Sequence, residues 1–254
     1  KDLITMKALI TGATSGIGQA TAIKLAENGY DIAITGRRAE RLSELEEKLR
    51  KIGADVLSLC FDVRSFEQVK DNLGNLSGKW SDIDVLVNNA GGALGKEPIQ
   101  DGSIEDWDTM IDTNVKGLLY VTKTLLPKMC QNHKGHVVNL CSIAGKQVYG
   151  EGNVYCASKH AVDAISKGIR IDALAYGIKV TNICPGAVET EFSIVRFHGD
   201  EKKAAATYQG FTPLTANDIA DTIYYCVSLP PHVCINDLTI MPTAQADSGH
   251  FFKQ

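Results

Sequence analysis

Long apolar runs and an excess of basic charge are both missing from the 254-residue chain. No stretch of about 20 apolar residues occurs, which is the length that a membrane-spanning helix needs. Lys and Arg number 26 against 30 Asp and Glu, so the formal net charge is −4 at pH 7. A general nucleic-acid binder normally carries a basic surplus that neutralises phosphates. We therefore expect neither a membrane nor a nucleic acid among the partners of this protein.

Paired cysteines and metal-binding patterns are missing as well. The seven cysteines are an odd number, are widely spaced and include no C-x-x-C pair, which is typical of small buried thiols in a reducing compartment. The six histidines have no spacing that suits a metal ion, so we expect no metal site. Residues 1–10 contain no apolar run long enough for a signal peptide. Together these features predict a cytoplasmic protein.

The residue pattern that is present indicates an α/β fold. Short β-branched runs alternate with longer segments of helical period, an order typical of β-α-β units and a parallel sheet. No linker or fixed-period repeat divides the chain, so residues 1–254 are predicted to form a single domain. The seven predicted strands cover residues 8–10, 31–35, 56–59, 85–87, 136–140, 178–183 and 238–240. They predict a doubly wound, seven-stranded parallel sheet with helices on both faces.

A long segment near the end of the chain fits no strand. Residues 191–213 exceed the length of a typical connection and follow the C-terminal end of a predicted strand. Ligands bind at that edge of doubly wound sheets. We therefore expect a lid at about 190–213.

A glycine-rich segment lies between the first predicted strand and the first predicted helix, at 17–28. Its G-x-x-x-G-x-G spacing allows the backbone to approach a pyrophosphate, and the helix N-terminus adds unpaired N–H groups. A plain turn could produce the same spacing by chance, but the strand-loop-helix context favours a dinucleotide site. The candidate contacts are Gly12, Thr14, Ser15, Gly16, Ile17 and Gly18.

Two arginines follow the second predicted strand, where an acidic residue would hold the adenosine ribose of NAD. Arg37 and Arg38 stand there instead, and an arginine fork matches a phosphate in charge and geometry. We therefore predict NADP as cofactor. The alternative is that both arginines are solvated residues at the start of the helix 38–52.

The third and fourth predicted strands end in further candidate contacts for the dinucleotide. These residues fall on the carboxyl edge of the sheet, where a dinucleotide lies. They are also simply good turn residues, so each signal is weak by itself. The candidates are Asp62, Val63, Asn89, Ala90 and Gly91.

Tyr155 and Lys159 stand four residues apart at the start of a predicted helix, so both side chains project from one face. Oxidation of an alcohol requires a base for the hydroxyl proton, and a tyrosine with a pKa near 10 falls about three units short at pH 7. That gap is roughly 4 kcal/mol, which a nearby ammonium and an oxidised nicotinamide could supply. Ser142 would steady the substrate oxygen, and Asn114 would fix a water beside Lys159.

In their order along the chain, these motifs resemble those of the short-chain dehydrogenase/reductase family, and the resemblance covers nearly the whole sequence. It rests on residues 11–18, 88–91, 155–159 and 185–186, with Asn114 and Ser142 between them. The resemblance implies a Rossmann-type sheet, a nicotinamide cofactor and a tetrad of Asn114, Ser142, Tyr155 and Lys159.

The resemblance also implies further cofactor contacts and an oligomer. Lys159 would hold the nicotinamide ribose and Thr190 the carboxamide, and the other expected contacts are Tyr155, Pro185, Gly186 and Val188. The predicted helices 104–133 and 153–176 carry more apolar surface than one sheet face would cover. Family members bury those helices against partner subunits, so we expect a homotetramer.

Several loops are similar to those of the NADP-dependent 3-hydroxy acid dehydrogenases. The similar segments are 36–42, 105–114, 152–155, 190–197 and 229–236. The resemblance implies activity on serine, L-allo-threonine and related 3-hydroxy acids, and reduction of malonic semialdehyde. The expected substrates include 3-hydroxypropionate, which yields malonic semialdehyde on oxidation.

A small carboxylate substrate needs a cation near the predicted lid. Arg196 is the candidate, because a guanidinium fork pairs well with a carboxylate; the alternative is a surface or interface arginine. Gln147 and Tyr149 lie between Ser142 and Tyr155 and are further pocket candidates, although ordinary loop positions would explain them equally well.

Other functions remain open on the same scaffold. One is a 3-oxoacyl or sugar-alcohol reductase, and another is a non-catalytic NADP-binding regulator, which would be expected to lack a tetrad residue. An epimerase or dehydratase usually needs a longer C-terminal substrate domain than the roughly 70 residues after Pro185 provide.

Overall fold

The computed structural model describes residues 5–254; residues 1–4, part of the segment inspected for a signal peptide, lie outside the described residues. Its strands are β1 (Lys7–Ile10), β2 (Asp31–Gly36), β3 (Val56–Cys60), β4 (Val85–Asn88), β5 (His136–Leu140), β6 (Lys179–Pro185), β7 (Val188–Glu189), β8 (Leu214–Thr215) and β9 (Asp237–Ile240). Seven of them form one parallel sheet in the order β3-β2-β1-β4-β5-β6-β9. The predicted seven-stranded, doubly wound sheet is confirmed.

Helices cover both faces of this sheet. They are α1 (Gly16–Glu27), α2 (Ala39–Ile52), α3 (Phe66–Leu73), α4 (Ile104–Ile111), α5 (Leu118–Gln131), α6 (Asn153–Asp172), α7 (Phe192–Arg196), α8 (Glu201–Ala206) and α9 (Ala216–Ser228). Alternate strand residues point to opposite faces, so Ile10 and Ile34 pack with α1, α2 and α9. Leu9 and Leu86 pack with α3, α5 and α6 in a second core. Both faces are buried, which explains the continuous apolar strands.

The predicted helix 104–133 is divided by a wider turn. A π-helical segment, Asp112–Gly117, lies between α4 and α5 and contains Asn114. Single π turns inside helices frequently occur at functional sites. No periodicity in the sequence indicated this turn.

The expected lid segment is more structured than the sequence suggested. It contains α7 and α8, and its two ends are joined by a short parallel pairing of β7 with β8. Val188 pairs with Leu214, and Glu189 with Thr215. The segment between β7 and β8 therefore begins and ends at neighbouring positions, close to the end of β6.

A row of polar residues crosses the sheet just before its carboxyl edge; the three asparagines in it are buried and the aspartate is exposed. Asn88, Asn139, Asn182 and Asp237 are in register on β4, β5, β6 and β9. The Asn88 amide donates to Asn139 Oδ1 at 2.9 Å, and the Asn139 amide donates to Ser166 Oγ at 2.8 Å. These bonds link the central strands to α6 and fix the ends of the strands that carry the candidate site.

Within residues 5–254, no helix is long and apolar enough to cross a membrane.

Candidate active site

The candidate residues lie at one edge because the strands before them are parallel. The glycine-rich turn follows β1, residues 89–91 follow β4, and Ser142 follows β5. Their side chains and turns therefore meet at the carboxyl edge of the sheet.

The glycine-rich turn is packed directly against the end of β4. Gly12 has a φ of +64°, and a Cβ there would lie 2.8 Å from the Ala90 Cα, so only glycine fits. The Asn89 side-chain amide donates to Thr11 O at 2.9 Å and to Gly12 O at 3.1 Å. Thr11 Oγ1 accepts from the backbone N–H groups of Asn89 and Ala90. These bonds hold the floor of the turn in one shape.

The N-terminus of α1 is open to an anion. Ser15 is the residue before the helix, but its side chain makes no capping hydrogen bond, and the first turn contains no acidic residue. The first-turn N–H groups therefore remain free for a ligand, and the helix dipole favours negative charge there. This arrangement fits a pyrophosphate.

Of the two predicted arginines, the structure brings Arg38 to this cradle. Arg38 donates to Thr14 Oγ1 at 2.7 and 3.1 Å and to Ser15 Oγ at 2.8 Å. The Arg37 side chain is 64% exposed, and its nearest acidic partner is Asp62 at 3.9 Å. Asp62 itself is paired with Arg64 at 2.6 Å. Arg38 is therefore the better placed of the two for a phosphate on the adenosine ribose.

Tyr155 and Lys159 occupy the first turns of α6 and are both buried. Lys159 Nζ donates to Leu140 O at 2.8 Å and lies 5.9 Å from the centre of the Tyr155 ring. Ser142 begins a short turn, where its hydroxyl accepts from Ala144 N at 3.1 Å. The structure thus brings the predicted phenol, amine and hydroxyl together at the end of β5.

Burial controls the titration of this pair. It raises the pKa of Tyr155, as does neighbouring Tyr149, while a hydrogen bond with Ser142 and the charge of Arg196 act against the rise. Burial also lowers the pKa of Lys159. The chain by itself does not produce the acidic phenol that the sequence analysis expects, because desolvation outweighs the nearby charges. A further positive charge has to supply the remainder.

Asn114 ties two parts of the site together. Its Oδ1 accepts from Gly92 N at 2.9 Å, and its Nδ2 donates to Gly92 O at 2.9 Å and to Ser158 Oγ at 3.0 Å. Ser158 in turn donates to Tyr155 O at 2.8 Å. Where the sequence suggested a water-binding role, the structure shows an amide that joins the loop after β4 to the helix of Tyr155. The sequence analysis did not predict a role for Ser158. Its position three residues after Tyr155, on the same helix face, could have indicated one.

Arg196 reaches from α7 to the phenol. Its Nε donates to Gly95 O at 3.1 Å, Gly95 N donates to Arg196 O at 2.9 Å, and Nη1 donates to Tyr149 OH at 3.0 Å. The guanidinium carbon lies 5.6 Å from the centre of the Tyr149 ring and 5.8 Å from that of Tyr155. Nη2 is buried and has no hydrogen-bond partner among residues 5–254. A buried cationic donor without a partner is costly, so this atom marks a place for an anionic ligand.

The remaining predicted substrate residues lie in different places. Tyr149 contacts Arg196, as described, but the Gln147 side chain is exposed and accepts from Ser248 N at 2.8 Å in the C-terminal segment. The pocket beside Arg196 and Tyr155 is also lined by residues that the sequence did not single out as pocket residues: Leu94, Gly95, Glu97, Trp107, Met110, Glu151, Gly152 and Asn153. They come from separate loops and helices, and no local pattern joined them.

Of the contacts predicted at the end of β6 and after it, Thr190 lies beside the cradle and Pro185 lies beside Ser142. Thr190 faces the start of α1, because a Cβ on Gly16 would lie 3.3 Å from the Thr190 Cβ. Pro185 O accepts from Ser142 Oγ at 3.5 Å. Two residues that the sequence analysis missed, Arg41 and Glu191, form an ion pair next to Arg38.

Known proteins resemble this chain over nearly its whole length. Residues 6–200 match the family described as short chain dehydrogenase. The chain is 46% identical over 245 residues to the NADP-dependent 3-hydroxy acid dehydrogenase of Salmonella typhi, covering 96% of this chain and 98% of that protein. It is 45% identical over 241 residues to the serine 3-dehydrogenase of Rhizobium radiobacter, covering 95% of each.

Solved structures show the same likeness. The closed form of a serine dehydrogenase complexed with NADP+ has a TM-score of 0.93 and 43% identity, covering 98% of this chain and 100% of that chain. A serine dehydrogenase from Escherichia coli has a TM-score of 0.82 and 38% identity, covering 95% of this chain and 100% of that chain.

Proposed function

This chain belongs to the short chain dehydrogenase family and is an NADP-dependent oxidoreductase acting on the CH–OH group of a hydroxy acid; we propose that its substrates are small 3-hydroxy acids. The candidates are serine, L-allo-threonine and 3-hydroxypropionate, with malonic semialdehyde in the reducing direction. The names of the relatives, at 44–46% identity, support this choice.

One observation carries the proposal: among the described residues, a buried side-chain nitrogen of Arg196 has no hydrogen-bond partner, and Arg196 lines the same pocket as Tyr155. A 3-hydroxy acid has a carboxylate two carbons from the reacting hydroxyl. Such a molecule is short enough for the carboxylate to contact Arg196 while the hydroxyl contacts Tyr155. A charge-assisted hydrogen bond to a buried guanidinium favours the acid over an uncharged alcohol of the same size.

The residues around the cradle fit NADP. The glycine turn would admit the pyrophosphate, and Arg38 would bind the 2′-phosphate. Further contacts would come from residues along the same edge: Thr14, Ser15, Ile17, Gly18, Arg37, Asp62, Val63, Asn89, Ala90, Gly91, Tyr155, Lys159, Pro185, Gly186, Val188 and Thr190. When bound there, NADP would supply or accept the hydride of the reaction, and its oxidised ring would contribute positive charge.

The chain supplies the proton chemistry. In oxidation, the Tyr155 phenolate takes the proton of the substrate hydroxyl, and in reduction the phenol returns it. Ser142 donates to the substrate oxygen and stabilises the charge that develops there. Lys159 lowers the cost of the phenolate by its positive charge, and Asn114 positions α6 through Ser158 and Gly92.

We further propose that the whole chain acts as one catalytic domain with residues 190–213 as a lid. The double contact between Arg196 and Gly95 holds that segment over the pocket. Exposed apolar residues on and after α5 and α6, among them Leu119, Ile171 and Leu174, support the expected homotetramer. A cytoplasmic location is consistent with the unpaired cysteines in the described chain.

The test is the variant Arg196→Met, assayed with 3-hydroxypropionate and with 1,3-propanediol, its uncharged analogue in which the carboxylate is replaced by CH₂OH. We expect the KM for the acid to rise about 10- to 100-fold more than the KM for the analogue, because only the acid loses a charged hydrogen bond. Lys202→Met removes an exposed cation of the same segment and should leave both substrates unaffected. An unchanged KM for the acid in Arg196→Met would contradict the proposal.

A further inference from the structure

A carboxylate from the proposed lid lies at the phosphate-binding arginines. Glu191 precedes α7, and its Oε2 accepts from Arg38 Nη1 at 3.1 Å. Arg41 Nη1 donates to both Glu191 oxygens, at 2.7 and 2.8 Å. Arg38 is at the same time bound to the hydroxyls of Thr14 and Ser15. A single guanidinium therefore connects the lid carboxylate with the cradle.

The carboxylate is charged at neutral pH. Burial tends to raise the pKa of Glu191, but hydrogen bonds from Arg41 and Arg38 outweigh it and hold the pKa below its ordinary value. The three side chains together carry one net positive charge. A phosphate and a carboxylate both seek the fork of an arginine, so the two anions compete for Arg38.

We propose that Glu191 is a specificity-determining residue that weakens the binding of the 2′-phosphate, and that Arg41 positions Glu191 by drawing its carboxylate away from Arg38. The inference rests on the NADP dependence stated above. Arg41 then acts on the phosphate through Glu191 and does not need to touch it. Its removal leaves Glu191 with Arg38 as its only cationic partner in this cluster, which neutralises the group that the phosphate requires.

The two variants therefore act in opposite directions. Glu191→Gln releases Arg38 and strengthens the phosphate site, while Arg41→Met weakens it. In the double variant the loss of Arg41 has a smaller effect than in the wild-type background, because the carboxylate that it controls is gone and only the long-range attraction of its charge is lost. If Arg41 bound the phosphate directly, its loss would weaken binding equally in both backgrounds.

The experiment measures dissociation constants of 2′,5′-ADP and 5′-ADP by calorimetry on the full chain at low salt. We expect Glu191→Gln to improve the affinity for 2′,5′-ADP about fivefold and Arg41→Met to reduce it about threefold, as for partly exposed ion pairs, with 5′-ADP unchanged. Glu189→Gln is the matched control, because it removes an exposed carboxylate two residues away; it should change neither constant.

Two results would overturn the inference, and they are distinguishable. In the first result, the wild-type chain prefers 2′,5′-ADP, but Glu191→Gln has the same preference or Glu189→Gln gains as much affinity as Glu191→Gln. That result contradicts the role of Glu191 and leaves the NADP assignment intact. A wild-type chain without any preference for 2′,5′-ADP over 5′-ADP contradicts the NADP assignment and the inference with it.

Discussion

The helix that carries Tyr155 and the segment that carries Arg196 face each other across one pocket, but they are held in different ways. Tyr155 and Lys159 are 8% and 7% exposed and are fixed by the backbone of α6, by Leu140 O and by the Asn114–Ser158 contacts. Arg196 belongs to a five-residue helix, attached to the rest of the site through polar contacts with Gly95 and Tyr149.

We relate this difference in attachment to two proposed tasks: proton transfer on the side of Tyr155 and selection of anionic ligands on the side of Arg196. On the helix side, burial shifts the pKa of both proposed catalytic groups, so small changes in nearby charge should alter proton transfer strongly. On the side of the proposed lid, Arg196 and Glu191 are the residues that we propose to attract or repel anions, through polar contacts that a ligand could replace. Substitutions on the helix should therefore affect turnover, while those near the lid should affect binding.

The largest expected effect comes from Tyr155→Phe. Removal of the hydroxyl eliminates the proton acceptor, and we expect kcat to fall about 10²- to 10⁴-fold with the affinity for NADPH nearly unchanged. Steady-state assays and NADPH fluorescence titration check this. Tyr176→Phe, at an exposed position, is the control and should keep full activity. A kcat within a factor of three of wild type in Tyr155→Phe would erase the proposed contrast.

A smaller effect is expected where the two arginines after β2 are compared. Arg38→Leu removes a guanidinium bound to two cradle hydroxyls, so the preference for NADPH over NADH should fall about 10- to 100-fold. Arg37→Leu removes a mostly exposed side chain and should reduce the preference only a fewfold. The ratio of kcat/KM for the two cofactors is the measurement. A greater loss in Arg37→Leu would contradict the geometry.

The smallest effect on activity is expected from substitution of His136. This buried residue tests the helix side of the comparison through the free energy of unfolding instead of through activity. Burial lowers its pKa to about 3, against about 6.5 in the unfolded chain. Below about pH 6.5, His136 is protonated in the unfolded chain but stays neutral in the folded one. The free energy of unfolding therefore decreases as pH falls from about 6.5 to about 3. The slope approaches 1.4 kcal/mol per pH unit at most.

His136→Gln should flatten that acid dependence in urea titrations at pH 7 and pH 5, whereas His232→Gln, at an exposed position, should not. An acid dependence equal to that of the wild type in His136→Gln would show that this histidine is not held neutral by the fold.

The sequence predicted the sheet and the residues at its edge well, because the carboxyl ends of parallel strands must meet and the glycine spacing is local. It did not predict the π turn at Asn114, since helical periodicity continues through it. The contact of Arg196 with Gly95 and the pairing of Glu191 with Arg41 join residues about 100 and 150 positions apart. Charge alone gave no reason to prefer Arg38 to Arg37; the orientation of each side chain decides that.

The central claim is that the charge of Lys159, together with that of the oxidised cofactor, brings the buried Tyr155 phenol into the range where it can exchange a proton. The most direct test is the pH dependence of kcat/KM for oxidation of L-allo-threonine in the wild type and in Lys159→Met, with NADP+ binding measured in the same samples. We predict that the rising limb moves to higher pH by at least about one unit, because the phenolate loses its cationic neighbour. A limb at the same pH in both proteins would contradict the account.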